Sequence, residues 1–329
     1  MTDLEVIDAH THVLRSEAHG REMYSYFLNR SPANGHPADP SVFSTVDEVQ
    51  ELMRATGVAH TNFLMFTWSG RYWRDGSLTL PDSGPRRVAA EQELRQRIVE
   101  RVVDNNEWAI GAVREHKNLS FFCGIDAALM TEQELLAEIS DKKSRGALGV
   151  KMVPFDSRVS GNDRRLWPVY DWCQSQGVPI LSEASGRPGA PGRPALFAEA
   201  LAEFPKLKLI FAHLGHDPTF GAGADLEVAD LAQRYEGVHS DVSLRFIEVA
   251  HGEVTPEAMT AHLRRIGTHK VLYGSNYSFV EHMHPSTGDQ ARFSATKDNL
   301  AVLFQLPLTD DERTAIASQN FKRVVGWSN

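Results

Sequence analysis

Val6-Ile7-Asp8-Ala9-His10-Thr11-His12 is the stretch on which the reading of this chain turns. It is a short, mostly apolar run that ends in polar residues, as expected of a buried strand arriving at the mouth of a fold. We read residues 5–9 as that strand. Successive side chains of an extended chain face opposite ways. His10 and His12 therefore point the same way, close enough to share one cation, and neutral imidazole is a common ligand for such ions.

Outward from this strand, short apolar runs alternate with helical patterns, the signature of βαβ units and a parallel sheet. Seven more strands are expected at residues 58–66, 119–125, 147–153, 178–181, 207–212, 237–242 and 270–274. Between them, residues 46–57 carry Val46, Val49, Leu52 and Met53 at helical spacing and end on Gly57, a helix-terminating residue. Thr131-Glu132-Gln133-Glu134 reads as a capping box, and Thr255-Pro256 places proline at a first helical position. Residues 309–325 read as a closing helix.

Eight strand–helix alternations predict a (β/α)8 TIM barrel in one domain over 1–329, with the active site at the C-terminal ends of the strands. An open doubly wound sheet is the competing fold, but no strand is followed by a Gly-x-Gly-x-x-Gly phosphate loop. Long loops at 14–44 and 68–87, rich in Tyr, Trp, Arg, Pro and Gly, leave the first two strands at that mouth and are expected to form a lid.

Composition narrows the function. The chain has 329 residues, 42% hydrophobic and 23% charged, with a formal net charge of −9. An acidic surface without Lys/Arg runs argues against a nucleic-acid partner. Cys123 and Cys173 alone make neither a disulfide framework nor a Cys-type zinc site, which fits a reducing cytoplasm. Neither a signal peptide nor an apolar stretch of ~18 residues is expected, so no membrane partner is.

At this point the sequence resembles the amidohydrolase-related family (amidohydrolase 2) of the amidohydrolase superfamily, which includes decarboxylase-like and lactonase-like enzymes. Residues Val6–His12 look like its opening strand, Gly149-Val150-Lys151-Met152 its fourth, Phe211-Ala212-His213-Leu214-Gly215 its sixth and Leu272-Tyr273-Gly274-Ser275-Asn276-Tyr277 its eighth. Asn320-Phe321-Lys322-Arg323-Val324-Val325-Gly326 is similar to its terminal helix. The resemblance implies a metal held by two strand-one histidines, a strand-five histidine and a strand-eight aspartate, with a sixth-strand histidine beside it.

This chain departs from that pattern twice. Glu183 stands where histidine is usual, and Asn276 where aspartate is. Together the two changes preserve the formal charge of the set. The expected site is therefore His10, His12 and Glu183 around one divalent metal, zinc first, with manganese or iron as alternatives. Asn276 offers an amide and is no general base, so His213 is the acid–base candidate. Lys151 is expected as an unmodified positive charge, although some superfamily members carry a bridging carbamate there. Arg187, Arg193 and Trp73 are candidate substrate contacts, with Arg71, Arg74, Tyr24, Tyr26 and Phe27 as further lid residues and His282 and His284 near the mouth.

These readings lead to a metal-dependent hydrolase-like enzyme acting on a small organic acid, amide or lactone. A metal-dependent decarboxylase or lyase, a metal-free enzyme and a non-catalytic small-molecule-binding barrel stay open as alternatives. The partner expected is a small-molecule substrate, and family habit suggests a homodimer.

Overall fold

A computed structural model describes residues 4–28, 42–284 and 292–327. Eight strands lie in one sheet in chain order. They are β1 (Ile7–Thr11), β2 (His60–Leu64), β3 (Leu119–Gly124), β4 (Gly149–Met152), β5 (Ile180–Ser182), β6 (Leu209–Phe211), β7 (Val238–Asp241) and β8 (Val271–Leu272). Every pairing is parallel. β8 and its continuation return to β1 through Ala9 N–Tyr273 O at 3.0 Å, Asn276 N–His10 O at 2.8 Å and His12 N–Tyr277 O at 2.6 Å. The chain is a (β/α)8 TIM barrel, as its alternating pattern predicts.

Two apolar layers hold it. Ile7, Ala9, Leu64, Phe122, Leu181, Ile210, Ala212 and Leu272 fill the barrel interior together with Phe321, Val324 and Val325 of the helix Asn320–Val325. That helix plugs the N-terminal end. Lys208, just before β6, donates to Val324 O, and Asn320 donates to Val271 O at the start of β8. A larger cluster packs the outer faces of the strands against the surrounding helices. The opposite end is thereby left for chemistry.

The local signals act where they were read. Thr45 and Glu48 cap the helix Val46–Thr56 reciprocally, and Gly57 ends it at φ 77°. Thr131 and Glu134 make the second capping box, and Thr255 caps a helix that opens with Pro256.

Three elements differ from expectation. β1 starts two residues later and takes His10 and Thr11 into the strand, and its register against β2 shifts between Asp8 and Thr11. That irregularity turns both Ile7 and His10 inward, which strict alternation would not. The second mouth loop is largely helical, with Ser69–Ser77 followed by the 32-residue helix Gly84–Glu115. Within the first, Glu17–Leu28 is helical and 29–41 lie outside the described residues. The closing segment is three joined pieces, Asp310–Thr314, a π-helical turn Ala315–Gln319 and Asn320–Val325.

Candidate metal centre and active site

At the C-terminal end of the barrel, His10, His213 and Asp241 place one donor atom each within 4.8 Å of one another, all three buried. His10 comes from β1 and Asp241 from the last position of β7. His213 follows β6, where the chain runs through left-handed conformations at His213, Leu214, Gly215 and His216. His213 N donates to Asp241 Oδ1 at 3.0 Å, so the same carboxylate that faces His10 also fixes this turn.

The hydrogen bonds define which nitrogens are bare. His10 Nδ1 lies 2.8 Å from Asp241 Oδ2 and 3.1 Å from Ser243 Oγ. His213 Nδ1 lies 2.7 Å from Ser243 Oγ and 3.0 Å from Ser243 O. The Ser243 hydroxyl donates its own proton to Asp241 Oδ1. A carboxylate and a backbone carbonyl only accept, so both Nδ1 atoms carry the proton. Nε2 of His10 and His213 is then the lone-pair nitrogen. A metal-ligating histidine whose other nitrogen donates to a carboxylate or carbonyl is the recurrent arrangement in metal sites. Burial holds both imidazoles well below their usual pKa, with Lys151 adding to the effect at His10 and His10 at His213. Neutral, oriented imidazoles with a carboxylate suit a divalent ion.

His12 lies beside this trio, its ring 5.2 Å from that of His10 and its Nε2 3.1 Å from Asn276 Oδ1. It is also neutral, through burial first and then His10 and Lys151. Glu183 does not join the trio. Phe155 N donates to its carboxylate at 3.2 Å, and burial raises its pKa against the pull of Lys151. Lys151, from β4, is 3% exposed, and burial lowers its pKa to about 8 while Asp241 and Glu183 oppose the shift. Asp8, beneath the histidines, accepts from His10 N and Ser275 N at 3.2 and 3.0 Å and is raised by burial to about 7.

The site has an apolar roof. Leu14, Met23, Tyr24, Phe66, Trp68 and Phe279 form one buried cluster. Phe279 and Phe66 meet His12 edge to face at 4.6 and 5.2 Å. The side chains of Tyr26 and Phe27 lie outside the described residues.

The other candidate contacts are spread out. Arg193 is engaged by Glu227 at 2.6 and 2.9 Å, and Arg187 is exposed. Trp73 is half-buried on the helix Ser69–Ser77, where Arg74 pairs with Asp156 at 3.1 Å and Arg71 with Asp75 at 3.2 Å. His282 packs on the Tyr24 ring at 3.7 Å, and His284 on His251 at 4.9 Å.

Asp241, Ser243 and Asp8 are not among the residues that the sequence singles out for the site. The available clue was placement: Asp241 closes an apolar strand, where a TIM barrel presents its chemistry.

The barrel and its mouth define an enzyme architecture with a buried cluster able to hold a metal ion. The Amidohydrolase family model (amidohydrolase 2) matches residues 7–327, and the chain belongs to that family. Among solved structures it is similar to the Metarhizium anisopliae IDCase, with a TM-score of 0.65, 16% identity and coverage of 98% of this chain and 97% of that one. A probable 2-pyrone-4,6-dicarboxylic acid hydrolase of Acinetobacter baumannii gives 0.63 and 16%, covering 98% and 100%. The 2,6-dihydroxybenzoate decarboxylase of Rhizobium gives 0.60 and 13%, covering 98% and 99%. At such identities the likeness concerns the fold. No curated protein matches. The family is generally metal-dependent, and both hydrolases and decarboxylases occur among the similar structures. No helix among the described residues is long and apolar enough to cross a membrane.

Proposed function

We propose that the protein is a metal-dependent hydrolase of a small organic acid, amide or lactone. The observation that carries this reading is the buried trio His10, His213 and Asp241, whose donor atoms lie within 4.8 Å of one another. In it, His10, His213 and the Asp241 carboxylate would hold one divalent ion, zinc first and manganese or iron as alternatives, with His12 adjacent. A bound ion of this kind polarises a carbonyl and acidifies a water.

The protein's own groups do the rest. Glu183 lies outside the trio, and burial raises its basicity, so it receives the proton of the attacking water. Mostly protonated at neutral pH, Lys151 draws an anionic substrate inward. The aromatic roof excludes water and suits a flat or small apolar body. Asn276 holds His12 through its amide oxygen and offers an amide hydrogen to the substrate.

One observation favours a second reading, decarboxylation. Asn276 occupies the place of the family's strand-eight carboxylate and accepts no proton, whereas loss of CO2 needs only a held carboxylate and a proton donor.

Two experiments test these readings. Metal content of protein purified without chelator is expected to be near one ion per chain. It should be lost in Asp241→Asn and retained in Glu183→Gln. The opposite pattern would replace the trio by His10, His12 and Glu183. Turnover of lactone, amide and aromatic-acid substrates in 18O-labelled D2O then separates the reactions. Label in the product supports hydrolysis, and CO2 release with solvent deuterium entering carbon supports decarboxylation.

A further inference from the structure

Lys151 has a role available that the metal reading does not use. Its strand, β4, turns Val150 and Met152 outward into the helix layer, so Gly149 and Lys151 face the barrel interior. The side chain is 3% exposed. Among the described residues no hydrogen bond or ion pair reaches its Nζ, although every other strongly buried cation has one. Arg245 is tied to Asp225 and Glu248, Lys142 to Asp141 and Glu138, and Lys270 to two carbonyls. A buried ammonium without a partner is costly. Lys151 nevertheless sits within electrostatic reach of Asp241 and Glu183 and of the imidazoles of His10, His12 and His213.

We propose that Lys151 is an imine-forming amine and that its substrate is a small 3-oxo carboxylic acid. Desolvation is the standard way a protein makes a lysine nucleophilic at neutral pH. The shift to about 8 supports this, because the neutral fraction at pH 7 is then two to three orders of magnitude above that of an ordinary lysine. The protonated majority attracts the carboxylate of the substrate, and the neutral minority attacks.

The chemistry closes without an added reagent. The Lys151 nitrogen bonds to the ketone carbon, and protons move to the carbonyl oxygen, which leaves as water. The resulting iminium accepts the electron pair of the bond to the carboxylate as CO2 departs. The enamine takes a proton on carbon, and water then hydrolyses the iminium, releasing the ketone and restoring the amine. Glu183, outside the trio and within electrostatic reach of Lys151, is the candidate to move these protons. The roof of Leu14, Met23, Phe66 and Phe279 suits the short apolar tail of such a substrate.

The test uses the full chain stripped of metal with EDTA and incubated with acetoacetate, then with sodium borohydride, which reduces an imine to a stable amine. Peptide mapping is expected to find the adduct on Lys151 roughly ten- to hundredfold above that on Lys322, a partly exposed lysine paired with Glu5. Lys151→Met, shown folded by circular dichroism, should lose it. Lys151→Arg should lose both adduct and CO2 release, because it keeps the charge without the nucleophile. Labelling of Lys151 no greater than that of Lys322, or CO2 release retained in Lys151→Arg, would overturn the proposal. A chain that binds metal but forms no adduct removes this inference and leaves the metal reading intact; an adduct in a chain that binds no metal does the reverse.

Discussion

At the scale of single residues, the centre depends on how few acceptors serve many donors. Asp241 takes a hydrogen bond from His10 Nδ1, from His213 N and from the Ser243 hydroxyl, while Ser243 meets Nδ1 of both histidines. Ser243→Ala removes the hydroxyl but leaves the carbonyl contact to His213. We expect metal affinity to fall about 10- to 100-fold, the usual effect of deleting a group that orients a ligand. A competitive zinc titration measures this, and an unchanged Kd would deny Ser243 that role. Asn276→Asp places a carboxylate against His12 Nε2 and adds a charged donor at the mouth. Zinc should bind at least ~10-fold more tightly in the same titration. No gain would mean that residue 276 does not reach the ion. The strand-five and strand-eight departures were visible as changes of residue type; the acceptor role of Asp241 required the fold.

At the scale of elements, capping and turns behave as their sequences say, and strain is concentrated beside the site. Thr131 caps the helix Glu132–Ser144, and its Glu134 also pairs with Arg95 of the long helix. Thr131→Ala is expected to cost about 1 kcal/mol in urea unfolding. The segment after β6 is different. His213, Leu214 and His216 hold φ of 59°, 55° and 52°, each costing about 1–2 kcal/mol for a residue with a Cβ. Packing of fully buried Leu214 and the bonds His213 N–Asp241 and Gly186 N–His216 O offset that cost. Gly215 sits in the middle at φ 105°, and a Cβ there would lie 2.5 Å from Ala224 O. Gly215→Ala is therefore expected to destabilise by ~2–3 kcal/mol and to disturb His213. Thermal melts together with metal content read both effects, and a silent substitution would show that this turn is not held tightly. Phe211–Gly215 was readable as a strand leading to histidine, but the left-handed turn was not, since only one of its residues is a glycine.

At the scale of the whole molecule, burial of histidine sets an acid limit on stability. Away from the site, His60, His239 and His262 are buried, and their pKa values are lowered from 6.5 to about 4, burial being the main cause in each. Unfolding lets them take up protons, so their stabilising contribution is complete above pH 6.5 and is lost as pH falls toward 4. Each costs up to about 1.4 kcal/mol per pH unit in that window. Between pH 6.5 and 5, Tm should fall less steeply with pH in His262→Leu than in the parent protein; an equal slope in the two would contradict the burial argument. What the sequence determined by itself is the barrel: eight strand–helix alternations, capping boxes, proline and glycine at helix ends and a plug helix are local patterns, set by neighbours within a few residues. It also marked His10, His12, Lys151, Glu183, His213 and Asn276 as residues of the mouth. The tertiary structure alone decided which of them meet. Asp241 and Ser243 lie more than two hundred residues from His10, and the register shift in β1 that turns His10 toward them arises from pairing with β2. Such contacts are set by barrel closure and by the demand that every buried polar group find a partner, and neither leaves a periodic trace in the chain.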